Sequence, residues 1–401
     1  MTKAAQDYMN EVSKVSAHNY HPIPVVIAKG EGVWVWDVEG KRYIDMLSAY
    51  SAVNQGHRHP KIIAAAKNQM DVLTLTSRAF HNDQMGPFLA KFTKLAGYDK
   101  ALPMNTGAEG VETAIKAARR WGYKTKKVPD GKAEIIVCEN NFHGRTTTII
   151  GFSTDPSSNS GFGPFSPGFK IIPYGDAKAL ESAITPNTVA FLVEPIQGEA
   201  GVIVPPAGYL KACREITKKN NVLLITDEIQ TGLGRTGRMF CFEYDGIRPD
   251  IVIVGKALGG GLYPVSGILA DDAIMNAAFE PGNHGSTFGG NPLACAIASA
   301  ALDVIVDEKL CDRALEMGEY FIGKLRGIKS GKIKDVRGRG LLIAIELKKD
   351  AGKARQYTEA LMKEGVLAKE THETTIRFAP PLVIAKADID WAVSMIAKVL
   401  A

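Results

Sequence analysis

Between about residue 105 and residue 270, short apolar runs alternate with longer stretches of helical period. Segments 134–138, 189–193, 222–226, 251–254 and 266–270 are rich in Val, Ile and Leu and lack polar alternation. That pattern predicts strands buried on both faces of a mostly parallel sheet. Between them, Val111, Ala114, Ile115, Ala118 and Trp121 recur at helical spacing, as do Leu210, Cys213 and Ile216. The alternation predicts an α/β fold. Upstream, Gly32-Val-Trp-Val-Trp-Asp37 alternates as a hairpin strand does, and Tyr43-Ile-Asp45 follows it. After about residue 290 the pattern changes. Helical stretches over 294–306 and 311–325 lead into Asp335-Val-Arg-Gly-Arg-Gly-Leu-Leu-Ile-Ala-Ile-Glu346, then a helix, a short strand containing Arg377 and a last helix. The expected organisation is an N-terminal segment (1–50), a large α/β domain (51–290) and a smaller α+β C-terminal domain (291–401).

Composition narrows the class. A chain of 401 residues buries a sizeable core and needs no disulfide staple. Its net charge of +5 is spread along the chain without a long basic run, so no nucleic-acid partner is expected. Cys138, Cys213, Cys241, Cys295 and Cys311 are scattered and form no CxxC, which reads as reduced thiols in a cytoplasmic protein. Residues 1–10 have no apolar core of the kind a signal peptide needs. No apolar stretch approaches the length of a membrane span, so no membrane association is expected.

In an open α/β sheet, ligands bind outside the carboxyl ends of the strands. Glu139, Glu194, Gln197, Asp227, Gln230 and Lys256 all follow apolar runs and are therefore expected on one rim. One strand end delivers a carboxylate, Asp227, and another an amine, Lys256. That pairing suits pyridoxal phosphate: the amine bonds the cofactor aldehyde and the carboxylate keeps the pyridinium nitrogen protonated. Singly, each has a plainer reading, a solvated turn lysine and a helix-capping aspartate. Asn105-Thr-Gly-Ala-Glu-Gly110 opens the Val111 helix with small residues that suit a phosphate, or with Thr106 as a simple cap. Asn141-Phe-His-Gly-Arg-Thr-Thr147 places Phe142 to stack on an aromatic cofactor and Arg145 to meet a carboxylate, unless the first is core and the second surface. Gly285-Ser-Thr-Phe-Gly-Gly-Asn291 offers the hydroxyls of Ser286 and Thr287 to a phosphate, or is a turn. His57, His59 and His143 have poor spacing for zinc and no completing ligand, so no metal is expected and they read as structural.

The ordered set TGAEGVETAIKAAR, FHGRT, EPIQGEAGV, TDEIQTGLGRTG, GKALGGG and STFGGNPL spans residues 105–293. It resembles the fold-type I pyridoxal phosphate enzymes, and among them the class III aminotransferases. His18-Asn-Tyr-His-Pro-Ile-Pro24 and Ser48-Ala-Tyr-Ser-Ala-Val-Asn-Gln-Gly-His57 extend the likeness along nearly the whole chain, toward the ornithine-using branch.

The resemblance implies roles for particular residues. Lys256 holds the cofactor covalently, Asp227 pairs with its ring nitrogen, Gln230 bonds its ring hydroxyl and Phe142 stacks on the ring. Gly107 and Ala108 hold the phosphate, joined by Thr287 of a neighbouring subunit; His143 and Ser286 belong to the same cofactor-binding set. The family is dimeric with shared sites, so a homodimer or higher homo-oligomer is expected. Tyr20 and Arg145 hold the α-carboxylate of ornithine and leave its δ-amine at the cofactor, while Tyr50 shapes the pocket. Arg377 binds the α-carboxylate of 2-oxoglutarate, and Glu199 masks Arg377 while ornithine is bound. The products are glutamate and glutamate 5-semialdehyde, which cyclises to pyrroline-5-carboxylate. Ala108-Glu-Gly110 departs slightly from relatives, at a contact made mainly by backbone. N-acetylornithine and 4-aminobutyrate aminotransferases, and more distantly aminomutases or decarboxylases, are the alternatives; Tyr20 and Tyr50 favour ornithine.

Overall fold

The computed structural model describes residues 4–401. The first three positions of the N-terminal stretch lie outside the described residues. Among those described, the strands form three sheets. Near the N-terminus, β1 (Ile27–Glu31), β2 (Trp34–Asp37) and β3 (Arg42–Asp45) pair antiparallel in sequence. The alternating Trp34–Asp37 run is thus the middle strand of a meander.

The central sheet has seven strands: β4 (Lys100–Met104), β5 (Glu134–Cys138), β6 (Phe169–Ile172), β7 (Thr188–Val193), β8 (Leu223–Asp227), β9 (Ile251–Val254) and β10 (Ser266–Ala270). Their order is β4-β10-β9-β8-β7-β5-β6. Strands β5 to β9 run parallel, and β10 is antiparallel to both its neighbours. The five expected strands are all present; β7 begins one residue earlier than expected and β8 is shifted by one. β7, β8 and β9 are buried at every position. Alternate side chains feed two cores: Ile135, Val137 and Ala190 pack with the helix Gly107–Trp121, and Ile136, Phe191 and Leu224 with the helix Tyr209–Lys219. Each such Ile or Leu contributes about 1.5–3 kcal/mol by leaving water. β4 and β6 were not expected. Both are edge strands, partly exposed, and β4 carries Lys100 and Pro103, which a central strand would not tolerate.

The third sheet is antiparallel, in the order β11 (Ile333–Arg339), β12 (Leu342–Leu347), β15 (Thr375–Phe378) and β14 (Lys369–Thr371). A two-residue strand, β13 (Val366–Leu367), pairs in parallel with β3 and joins the two ends of the chain in one sheet. An apolar core runs continuously from Ile44 and Met46 through Val254, Leu258 and Ala298 to Phe321, Phe378 and Ile396. This shared core fixes the C-terminal strands against the rim of the central sheet.

Candidate active site

Asp227 is the last residue of β8, and Lys256 lies two residues past the end of β9. The parallel run of β8 and β9 brings both to one rim, as the sequence implied. Lys256 adopts φ +45°, a left-handed conformation uncommon for a side-chain-bearing residue and met at functional sites. Both residues line a cavity of about 210 Å³, together with Gly107, Ala108, Phe142, His143, Glu194 and Gln230.

The Asp227 carboxylate is fixed on both oxygens. Oδ1 accepts from the Ile229 amide at 3.0 Å, and Oδ2 lies 2.6 Å from His143 Nδ1. Burial works to lower the His143 pKa, but the hydrogen bond and charge of Asp227 outweigh it and leave it raised. Nδ1 then donates a proton to Asp227. Burial also lowers the Lys256 pKa, with Glu199 opposing and Arg377 adding to the effect. A lowered amine pKa favours the neutral, nucleophilic form.

Glu194 stands on the same rim. It follows β7 directly, is buried, and accepts from the Phe142 amide at 2.9 Å through Oε1. Burial raises its pKa to about 7 despite the opposing charge of His143. A carboxyl with a raised folded pKa stabilises the fold fully below its unfolded value near 4.5. That contribution is lost as pH climbs to about 7. Glu194→Gln keeps the acceptor and removes the titration. Urea melts of cofactor-free protein should show the variant gaining on the wild type by on the order of 3 kcal/mol between pH 4.5 and 7. A constant difference across that window would show that Glu194 does not titrate there.

Gly107 and Ala108 form the first turn of the helix Gly107–Trp121, where amides have no intrahelical carbonyl and the helix dipole favours an anion. Thr106 is also the cap: its Oγ1 accepts from the Glu109 amide at 3.2 Å, and Glu109 answers with 2.8 Å to the Thr106 amide. The capping reading of this loop is present in the structure. Gly144 (φ +129°) closes over the same turn, where a Cβ would stand 3.0 Å from that of Ala108. Ser286 and Thr287 do not line the cavity. Ser286 Oγ accepts from Asn105 Nδ2 at 2.7 Å, so its loop abuts the phosphate loop, while Thr287 is exposed.

A second group of residues adjoins the cavity. Arg377, buried on β15, donates from Nη1 to Glu199 Oε1 at 2.7 Å. Gln230 Nε2 donates to the same oxygen at 3.1 Å and so links this pair to the cavity. Burial pushes the Glu199 carboxyl up, yet Arg377 and then Lys256 pull it down to about 2. Glu199 therefore stays ionised throughout the neutral range. Tyr50 lies under Arg377, ring to guanidinium 4.9 Å. It sits in a left-handed turn over residues 48–51, at φ 51°, 46°, 61° and 74°. Asp45 Oδ1 holds this strained turn by accepting from the Leu47 and Ser48 amides at 2.8 and 2.9 Å. Burial and then Glu199 raise the Tyr50 pKa, and Tyr20 adds to the effect, which places Tyr20 in the same neighbourhood. Tyr20 is 71% exposed. Arg145 is exposed as well, its guanidinium 5.4 Å from the Phe142 ring. His57 and His59 pair with Asp45 (2.7 Å) and Glu308 (3.1 Å). Among the described residues, no group of three His, Cys, Asp or Glu is arranged around a cation.

The cavity residues fit pyridoxal phosphate. A buried amine, an oriented carboxylate, a helix N-terminus and the Phe142 ring face one space. Two polar atoms of its lining, His143 Nε2 and Gln230 Oε1, are buried without a partner in the protein, as expected where a bound polar group completes the set.

Comparison with known proteins agrees. The class-III aminotransferase family model matches residues 15–400. An ornithine aminotransferase of Brevibacillus brevis is 61% identical over 392 residues, covering 98% of this chain and 97% of its own. The structure of the ornithine aminotransferase from Toxoplasma gondii superposes with a TM-score of 0.98 at 47% identity, over 100% of this chain and 94% of that one. The acetylornithine aminotransferase from Elizabethkingia anophelis superposes with a TM-score of 0.90 at 50% identity, over 100% and 99% of the two chains. The chain belongs to the class-III aminotransferases, fold-type I enzymes that depend on pyridoxal phosphate.

Proposed function

We propose that this enzyme transfers the δ-amino group of ornithine to 2-oxoglutarate, giving glutamate 5-semialdehyde, which cyclises to pyrroline-5-carboxylate, and glutamate. The observation that carries this reading is the Glu199–Arg377 ion pair beside the cavity. Ornithine presents one carboxylate and 2-oxoglutarate two. An uncovered Arg377 draws an amino acid in by its α-carboxylate and presents the α-amine. With Glu199 on Arg377, that position is filled. Ornithine's carboxylate then goes to Tyr20 and Arg145, and its far amine reaches Lys256. The dicarboxylate displaces Glu199 and takes Arg377.

When bound, pyridoxal phosphate supplies the electron sink for the carbanion formed beside the amine nitrogen. Lys256 would hold it covalently, Asp227 would pair with its ring nitrogen, and Gln230 Oε1 would meet its ring hydroxyl. Phe142 would cover its ring, and the Gly107 and Ala108 amides would hold its phosphate. His143, locked to Asp227, fixes that carboxylate's orientation. Once the substrate amine has taken its place, Lys256 Nζ would be free to take the proton from the substrate carbon, a task suited to an amine whose pKa burial has lowered. The exposed Thr287 would complete the phosphate site of a second copy, with Ser286 holding its loop, which makes the working form a homodimer. All five cysteines are free thiols, which supports a reducing, cytoplasmic setting.

The test is an assay that traps pyrroline-5-carboxylate, with N-acetylornithine and 4-aminobutyrate as competing donors. Ornithine should be preferred; a preference for N-acetylornithine moves the enzyme to that neighbouring activity. For the gate, Glu199→Ala should raise glutamate turnover relative to ornithine by on the order of 30-fold or more. An unchanged ratio would sink the gate.

A further inference from the structure

The loop carrying Glu199 is gripped on both sides. At Gly198 a Cβ would fall 1.5 Å from Gln230 Oε1. Across the loop, Arg337 of β11 donates from Nε to the Gly201 and Val202 carbonyls at 3.0 and 3.2 Å, and from Nη2 to Gly201 again at 2.6 Å. Gly201 has φ +109°, and a Cβ there would stand 3.2 Å from both Arg337 Nη2 and Thr375 Oγ1. A side chain at either position would force its neighbours to shift.

The same Arg337 guanidinium meets Glu346 Oε2 at 3.0 Å. Glu346 in turn accepts from the hydroxyls of Thr374 and Thr375 at 2.7 and 2.5 Å. In the β12–β15 ladder Glu346 stands opposite Thr375 and Ala344 opposite Arg377. One arginine–glutamate pair thus ties the backbone that bears Glu199 to the strand that bears Arg377. Thr371 of β14 adds a hydrogen bond to the Glu199 carbonyl. Only the side chains of the bridge remain to move. Arg377 is 2% exposed and Glu199 30%, so Glu199 is the partner with a path to solvent.

We propose that Arg337 and Glu346 are positioning residues that hold the Glu199 loop and β15 at one separation, so that the Glu199–Arg377 bridge opens by rotation of the Glu199 side chain alone. This rests on the gate reading above. A fixed backbone means that opening orders and disorders one side chain rather than a loop, and reclosure returns the carboxylate to the same place. Without the clamp the loop drifts, Glu199 loses its register, and Arg377 stays uncovered while ornithine is present.

The experiment compares Arg337→Met with the wild type, alone and combined with Glu199→Ala, in the holoenzyme. Three quantities are read: kcat/KM for ornithine, kcat/KM for glutamate, and amide exchange over residues 198–203. Arg337→Met should lower the ornithine-to-glutamate ratio about tenfold and leave it unchanged in the Glu199→Ala background. Exchange in the loop should quicken about tenfold in Arg337→Met and stay at the wild-type rate in Glu199→Ala. If Glu199→Ala leaves the ratio unmoved, the gate reading fails, and the exchange rates still judge the clamp. If Glu199→Ala moves the ratio but Arg337→Met does not, or Arg337→Met moves it equally in both backgrounds, the clamp is overturned. Unchanged exchange in Arg337→Met overturns it as well. Should Arg337→Met fail to fold, Glu346→Gln, which keeps the threonine contacts and drops the charge, carries the same comparison.

Discussion

Lys256→Ala should abolish transamination, by at least about 10⁴-fold, and remove the visible absorption that ornithine alters in the wild type. The size follows from two tasks on one atom. Nζ is the amine facing the cavity, where burial lowers its pKa, and it is also the base next to the reacting carbon once the substrate amine displaces it. Alanine loses both, and water does not replace a positioned base. A small added amine, free to enter the vacated space, should restore part of the proton transfer without restoring the covalent link. The two tasks are thereby separated: partial return of turnover without the wild-type spectrum. A Lys256→Ala protein that keeps the spectrum and turns over ornithine would place the reacting amine on another residue.

How much of this was legible depends on where each residue sits. The runs at 189–193, 222–226 and 251–254 announced themselves because both faces of those strands are buried, leaving no room for polar alternation. β4 and β6 stayed hidden because an edge strand tolerates Lys100, Pro103 and exposed positions. β13 and β14, at two and three residues, are too short to show a period at all. Asp227 and Lys256 could be paired from sequence because parallel topology sends successive strand ends to one rim. Nothing periodic connects Glu199 with Arg377, which are 178 positions apart and meet through the third sheet; only resemblance to the family joined them. The left-handed turn at 48–51 contains no glycine to betray it, since Asp45 compensates the strain through contacts that spacing does not reveal. Glu194 was visible as a strand-end carboxylate, but its bond to the Phe142 amide emerges only when β5 and β7 lie side by side.

Asp227→Asn should lower transamination on the order of 10³-fold, as removal of a preorganised electrostatic group does elsewhere, while weakening cofactor retention far less. Asparagine keeps the shape, so Oδ1 still accepts from the Ile229 amide, and Gly107, Ala108 and Lys256 are untouched. What changes is charge. A neutral amide no longer holds the ring nitrogen protonated, and the electron sink weakens although the ring stays in place. His143 reports the same loss independently. Its pKa is raised against burial by the hydrogen bond and charge of Asp227, with Glu194 adding, so the variant should lower it and shift the ring toward the neutral form. Nuclear magnetic resonance of the His143 ring nitrogens reads this directly in the cofactor-free protein, apart from any assay of turnover. If the ring turns neutral and turnover holds, Asp227 serves His143 rather than the cofactor. If turnover falls and His143 stays charged, Glu194, the other acidic side chain acting on it, is what keeps the proton there. A fall in both ties the two together: the histidine orients the carboxylate, and the carboxylate's charge drives the chemistry.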